Sequence, residues 1–307
     1  MPETYLITGG TGSLGQAIVK RLLTKRVHRV RVFSRNEHNQ VEMRRECDDG
    51  TKRIRFFLGD VRDSNRLRRA FNGVDMVVHA AALKHVDVVE YNNDEAVEIN
   101  VNGTRNVRDA AIECGVKQCL LISTDKSCNP VNLYGATKFC AEKIFSSASA
   151  YAGAAGCRFS SIRFGNFYGS SGSVLPLFKR LRDEGACYLP ITDARMTRFF
   201  ITLEDAVDRV FDAIKYMKGG EVFCPKMPSM KITDIAKAIS PGCELREIGI
   251  RPGEKLDEEM VTKHDVVRDF KKFYVIGGTQ GEKMPAGFEY RSDTNSQWID
   301  ALSMEGL

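Results

Sequence analysis

Thr8-Gly-Gly-Thr-Gly-Ser-Leu-Gly15 follows directly on the apolar run Tyr5-Leu-Ile-Thr8 and leads into 14–25, where apolar residues recur with helical spacing. Glycines at 9, 12 and 15 allow a tight turn and a close backbone approach between strand and helix. The segment therefore reads as a strand-turn-helix unit whose helix N-terminus can face an anion. Outward from it, short runs rich in β-branched residues at 30–33, 54–58, 76–79 and 119–122 alternate with amphipathic stretches at 37–46, 64–71, 90–114 and 134–151. Such alternation predicts a parallel sheet covered by helices on both faces.

Beyond 164 the regular pattern breaks. Gly165, Gly169 and Gly172, then Pro176, Pro190, Pro225, Pro228, Pro241 and Pro252, separate shorter elements. This suits a smaller C-terminal lobe that caps the carboxyl edge of the sheet, where ligands of such folds bind. The expected architecture is α/β: a Rossmann-like doubly wound parallel sheet in 1–164, with a substrate-binding lobe built from 165–199 and 223–307. The helical run 203–218, within 200–222, is expected to pack back on the main sheet.

With 307 residues, 43% of them apolar and 28% charged, the chain can bury a full core. The net charge of +5 is modest, and the arginines and lysines between 44 and 69 are interspersed with acids, which reads as a solvated face rather than a nucleic-acid surface. Nine cysteines show no C-x-x-C spacing and five histidines show no ligand pattern, so the thiols read as reduced and no metal is expected. No basic apolar leader opens the chain and no apolar run has the length of a membrane span. A cytoplasmic location without membrane attachment is the expectation.

At the first turn, Gly9, Thr11, Gly12, Ser13, Leu14 and Gly15 are placed to cradle the pyrophosphate of a dinucleotide. The second strand ends in Phe33-Ser-Arg35, where NAD enzymes usually carry an acid for the ribose 2′-hydroxyl. Ser34 and Arg35 suit a 2′-phosphate instead, which predicts NADP. Asp60 and Val61, after the third strand, would flank the adenine.

Ser123-Thr-Asp-Lys126 ends another strand, and Tyr134-Gly-Ala-Thr-Lys138 opens the next helix. Four residues apart, Tyr134 and Lys138 share a helix face, so the ammonium is expected to depress the tyrosine pKa and make the phenolate a base near neutral pH.

The glycine triplet, Asn100, Thr124, Tyr134 and Lys138 together resemble the extended short-chain dehydrogenase/reductases. Asp125-Lys126, where retaining nucleotide-glucose dehydratases have Asp-Glu, resembles the UDP-N-acetylglucosamine 4,6-dehydratases. So do Ala80-Ala-Ala-Leu-Lys-His-Val86, Asn129-Pro-Val-Asn-Leu-Tyr134, Arg163-Phe-Gly-Asn166, Gly172-Ser-Val-Leu-Pro176, Asp193-Ala-Arg-Met-Thr-Arg-Phe199 and Ile250-Arg-Pro-Gly-Glu-Lys255. Tyr134 is similar to the C5-inverting branch that starts pseudaminic acid biosynthesis, since capsule and membrane-bound relatives carry methionine there. Three features depart from the pattern: Ser127-Cys128 replace a pair of small residues, Asn39 stands where a lysine is common, and 271–289 is shorter than usual.

The resemblance implies UDP-N-acetylglucosamine as substrate and internal hydride transfer with loss of water. It implies Thr124, Asp125, Lys126, Tyr134 and Lys138 as the catalytic set, with Tyr134 acting on the sugar O4, Lys126 as the C5 base when neutral and Asp125 as the acid at C6. It adds Ala80, Ala81 and Ala82 to the cofactor site and assigns Lys84, Asn166, Arg198, Arg251 and Glu254 to the substrate. It also implies a homo-oligomer built through the helices of 90–114 and 134–151. The alternatives are a UDP-N-acetylhexosamine 4-epimerase, a retaining dehydratase, and a non-catalytic NADP-sensing regulator; Asp125-Lys126 argues against the epimerase, and a sensor needs none of the five catalytic residues.

Overall fold

The computed structural model describes residues 3–47, 50–153, 156–169 and 174–299; Gly172 and Ser173 of the resemblance lie outside them. Five strand-helix units and a sixth strand run in order. They are β1 (Thr4–Thr8), α1 (Ser13–Leu23), β2 (Arg29–Ser34), α2 (Glu37–Cys47), β3 (Ile54–Leu58), α3 (Ser64–Phe71), β4 (Met76–His79), α4 (Val86–Tyr91), α5 (Asn93–Ala96), α6 (Gly103–Glu113), β5 (Gln118–Thr124), α7 (Leu133–Ala152) and β6 (Arg158–Phe164). The expected helix over 90–114 is interrupted. Asn92 leaves helical geometry at φ −113° and ψ 60° and its amide donates to Val88 O at 2.8 Å. A π-helical turn, Val97–Asn102, then joins α5 to α6.

The second half continues with β7 (Asn166–Phe167), α8 (Val174–Asp183), β8 (Tyr188–Ile191), β9 (Thr197–Ile201), α9 (Leu203–Tyr216), β10 (Val222–Pro225), β11 (Ser229–Lys231), α10 (Ile232–Ile239) and β12 (Glu244–Glu247). It ends with β13 (Glu259–Val261), β14 (Val267–Phe270), β15 (Phe273–Ile276), β16 (Glu282–Lys283) and β17 (Tyr290–Arg291). The main sheet has the order β16-β14-β15-β10-β6-β5-β4-β1-β2-β3. From β3 to β10 neighbouring strands are parallel, and β15, β14 and β16 add on antiparallel. Part of 223–307, expected in the small lobe, thus extends the main sheet. The reason is that Phe223, Phe273 and Val275 are buried in the same core as the first strands.

One face of the sheet packs on α1 and α9 through Ile18, Val19, Leu22, Val207 and Val210, as expected for 203–218. The other face packs on α3, α6 and α7 through Leu67, Val107, Ala141 and Phe145. A separate apolar cluster of Phe178, Leu189, Phe200, Met230 and Ile235 holds α8, α10 and the small sheet β11-β9-β7 together. Register places Thr8 beside both Phe33 and His79, and Leu121 beside His79, so the turns after β1, β2, β4 and β5 line up along one carboxyl edge. Among the described residues, no helix is long and apolar enough to cross a membrane.

Candidate active site

The glycine turn after β1 is built around close contacts. Gly9 has φ +67°, and a Cβ on it would stand 2.7 Å from Ala81 N; one on Gly15 would stand 2.5 Å from Gly9 O. Side chains are therefore excluded where β1, α1 and the loop after β4 converge. α1 starts behind Gly12 with no side-chain cap and no acid in its first turn, so a pyrophosphate fits its N-terminal end. Thr11 and Leu14 are buried, and Ser13 is exposed at the mouth of the turn. At the end of β2, Ser34 Oγ accepts from Gln40 Nε2 at 2.9 Å, while Arg35 lies exposed with Asp60 3.6 Å away. Asp60 stays below the usual carboxylate range because Arg62 outweighs its partial burial, and Val61 beside it is buried.

A chain of hydrogen bonds ties this turn to the loop Ala80, Ala81, Ala82 and Leu83. Thr104 Oγ1 donates to Asn100 O at 2.6 Å, so it must accept from His79 Nε2 at 3.0 Å. His79 is thereby the Nε2–H tautomer, and its Nδ1 accepts from Thr8 Oγ1 at 2.7 Å. Burial lowers the His79 pKa to about 3. Asn100, turned inward by the π-helical segment, bonds both backbone groups of Leu83 at 2.9 and 3.0 Å and reaches Thr137 Oγ1 at 3.1 Å.

Across the edge, β5 ends at Thr124, whose hydroxyl donates to Asp125 Oδ1 at 2.9 Å. The 3₁₀ turn Asp125–Ser127 follows. Lys126 Nζ reaches Asp125 Oδ1 at 3.1 Å and Glu258 Oε1 at 3.3 Å. Tyr134, in the first turn of α7, hydrogen-bonds through its side chain with Thr124. The start of α7 is pressed so closely on the turn that a Cβ on Gly135 would stand 2.1 Å from Lys126 O. Asn132 caps the helix by accepting from Gly135 N at 2.7 Å, and its amide donates to Gly253 O at 2.7 Å. The structure thus brings Thr124, Asp125, Lys126 and Tyr134 together, with Lys138 one turn further along α7.

Their protonation states differ from the expectation. Burial raises the Tyr134 pKa more than Lys126 and the Thr124 hydrogen bond lower it, so the free chain carries a phenol rather than a phenolate. The cation bearing on Tyr134 is Lys126. Lys138 instead donates to Ile122 O at 2.8 Å, and burial brings its pKa down to about 8. Burial also works to lower Lys126, but Asp125 and Glu258 outweigh it and hold the lysine charged. Asp125, fully buried, is raised by desolvation against the pull of Lys126. Lys126 is thus paired and charged in the free chain, and its role as a base requires the neutral form.

Beneath the turn, Glu142 accepts from Ser123 Oγ and Ser127 Oγ, each at 2.6 Å, and from Arg163 Nη2 at 2.8 Å. Ser127 Oγ also lies 2.6 Å from Thr124 O, so its one hydroxyl proton serves either that carbonyl or Glu142, and this departure from the family pattern has a bracing role. Cys128 is buried beside it, its carbonyl accepting from Lys255 Nζ at 2.5 Å. The 271–289 segment begins with the turn from β14 into β15, where Lys271 has φ +57°, and goes on through β15 and β16. Asn39 N donates to Asn36 Oδ1 at 2.9 Å at the start of α2.

The residues assigned to substrate scatter more widely. Asn166 is half-buried in β7, and Lys84 stands on the loop after β4, where desolvation lowers its pKa. Arg251 N donates to Glu254 Oε2 at 3.4 Å in a turn that Gly253 sets against Asn132. Arg198 is buried and spends its donors on Thr197 O, Leu256 O and Lys255 O at 2.7 to 2.9 Å, with Nε 3.7 Å from Glu258. It braces the site from within and is not presented to a diphosphate. Glu258 itself was missed by sequence reading, because nothing in Lys255-Leu-Asp-Glu-Glu259 marks which acid turns inward.

The model of a family described as polysaccharide biosynthesis protein matches residues 5–277. The chain is 47% identical to UDP-N-acetylglucosamine 4,6-dehydratase (inverting) from Campylobacter jejuni, covering 96% of this chain and 94% of that protein. It is 37% identical to UDP-glucose 4-epimerase from Rickettsia rickettsii, over 89% of this chain and 82% of the relative. The solved structure of Pen from Bacillus thuringiensis superposes with a TM-score of 0.92 at 38% identity, covering 99% and 95% of the two chains. DesIV, a dTDP-glucose 4,6-dehydratase from Streptomyces venezuelae with NAD and TYD bound, gives 0.72 at 25% identity, covering 82% and 86%. A glycine cradle at one end of the carboxyl edge, a Thr-Asp-Lys turn against Tyr134 at the other, and this similarity over nearly the whole length show that the chain belongs to the polysaccharide biosynthesis protein family.

Proposed function

We propose that the chain is an inverting UDP-N-acetylglucosamine 4,6-dehydratase that works with NADP. The observation that carries this reading is the Asp125–Lys126 pair, 3.1 Å apart and directly beside Tyr134 at the edge where the glycine cradle opens. The similarity to the Campylobacter jejuni dehydratase supports the substrate. Arg35, exposed at the end of β2 where an acid would meet a ribose hydroxyl, supports NADP over NAD. The small lobe around α8 and α10 is read as the sugar-nucleotide side, with Asn166, Arg251, Glu254 and Lys84 as contacts. Val88, Tyr91, Val97 and Phe139, exposed on α4, α7 and the π-helical turn, give an apolar face on which a second copy can dock to form a homo-oligomer.

A nicotinamide held by the glycine cradle and the loop Ala80, Ala81 and Ala82 would supply reversible hydride storage between C4 and C6. Tyr134, as the phenolate it must become in the loaded site, accepts the O4 proton, with Thr124 hydrogen-bonding the same oxygen. The 4-ketone acidifies the C5 hydrogen, which Lys126 removes as the free amine. Asp125, as the acid, gives its proton to the departing C6 hydroxyl, and water leaves. Protonation of C5 on the opposite face yields the inverted 4-keto-6-deoxy sugar. The sequence is redox neutral.

In heavy water the parent enzyme is expected to place deuterium at C5 and to yield the L-configured product, read by proton NMR. Lys126→Ala should still reduce cofactor with substrate but exchange C5 little. A variant that dehydrates at the parent rate, or a parent product of D-configuration, refutes the assignment. The 37% identity to a 4-epimerase favours one rival reading. The same spectrum decides it, because an epimerase returns a 6-hydroxylated sugar.

A further inference from the structure

Dehydration requires an amine at Lys126 and a carboxylic acid at Asp125, whereas Asp125 and Glu258 hold the resting Lys126 as an ammonium. We propose that Glu258 is a positioning residue that clamps Lys126 against Asp125 and keeps a single proton shared within that pair. The proposal rests on Lys126 and Asp125 being the C5 base and the C6 acid.

Glu258 lies on the segment before β13, far from the turn in sequence, yet its Oε1 is 3.3 Å from Lys126 Nζ. Lys126 is thus held between two carboxylates. Asp125 Oδ2 and Glu258 Oε2 are both buried without a hydrogen-bond partner, an unusual cost for two acids in one site. Arg198 Nε, 3.7 Å from Glu258 Oε1, supplies a second positive charge beside that carboxylate. Lys255 also bears on Glu258, and Tyr134 faces Lys126 from α7.

A proton crossing 3.1 Å from Lys126 Nζ to Asp125 Oδ1 breaks one N–H bond and forms one O–H bond, leaving the electron pair on Nζ. Base and acid arise in that one transfer, with no proton from solvent and no change in net charge. Lys126, Arg198 and Lys255 together outweigh the burial of Glu258 and hold it below the usual carboxylate range, and Arg198 and Lys255 keep their charge when the proton moves. The mobile proton is therefore confined to Asp125 and Lys126. The negative charge of Glu258 raises the proton affinity of both. At high pH the pair loses its proton, and at low pH it gains a second; both limits depend on Glu258.

The test is the pH profile of kcat for the holoenzyme with UDP-N-acetylglucosamine, in the parent and in Glu258→Gln, with circular dichroism to establish folding and C5 deuteration in heavy water run on both. Both limits of the profile should move to lower pH by about one to three units, the effect expected of a charge at this range. Glu258→Asp, with its carboxylate drawn back, should shift both limits less and in the same direction. A folded Glu258→Gln enzyme with the parent's limits, however slow, overturns the proposal; if that variant does not fold, unshifted limits in Glu258→Asp overturn it. Absence of C5 deuteration in the parent would instead refute the acid-base reading of Asp125 and Lys126.

Discussion

Glu142→Leu removes the anchor beneath the catalytic turn. In the folded chain the carboxylate takes hydrogen bonds from Ser123, Ser127 and Arg163, and the Glu142 and Arg163 side chains are 2% and 6% exposed. Arg163 also donates to Met260 O, but that carbonyl does not neutralise its charge. Losing Glu142 strands a buried guanidinium, which costs about 3–5 kcal/mol. Arg163→Leu costs less, because a stranded Glu142 can take up a proton while arginine cannot give one up. The double variant, with neither charge, should be about 2 kcal/mol more stable than the sum of the single losses predicts. Urea midpoints followed by circular dichroism measure all three. Glu142 also lies against Ser127, whose hydroxyl is within hydrogen-bond distance of Thr124 O, so kcat should fall in Glu142→Leu while nucleotide affinity changes little. Additive single losses, or a Glu142→Leu cost below about 1 kcal/mol, would refute the argument that charge pairing dominates here.

Tyr134→Phe should abolish turnover and leave UDP-sugar binding nearly intact; calorimetry beside an activity assay tests both halves, and a comparable loss of binding would mark the tyrosine as structural. NADP(H) should bind more tightly than NAD(H), and Arg35→Ala should narrow the gap by about tenfold or more, the worth of one charge-assisted hydrogen bond; equal affinities in the parent would refute the role of Arg35. His79 gives a pH test of stability. Its pKa is lowered in the folded chain to about 3 from 6.5, so the unfolded chain binds the extra proton first and stability falls as pH drops below 6.5. By pH 5 the loss should be about 2 kcal/mol, absent in His79→Gln, as compared by urea midpoints at the two pH values.

The elements of the nucleotide half were legible in the chain because their signals are local. Period-two and period-3.6 apolar spacing marks β1 to β5 and most of the helices, and glycines at 9, 12 and 15 mark the cradle. Tyr134 and Lys138 share a helix turn, and Thr124, Asp125 and Lys126 are neighbours in the chain, so their grouping required no long-range contact. The break at Asn92 was less visible, since 90–114 keeps helical spacing on both sides of the π-helical turn.

What the tertiary structure alone decided lies in contacts between distant segments. Glu258 meets Lys126 across 132 residues of chain (258 − 126), and Arg198 joins them from β9. Neither residue carries a spacing signal. β10, β15, β14 and β16 extend the main sheet because their apolar faces complete a core that local patterning does not assign. The charge states follow from the same cause: Tyr134 four residues from Lys138 suggested a phenolate, but burial outweighs the effect of Lys126 and keeps the phenol. Sequence spacing tells which groups can share a face; desolvation and through-space charge, which set how each group titrates, depend on what the rest of the chain places around it.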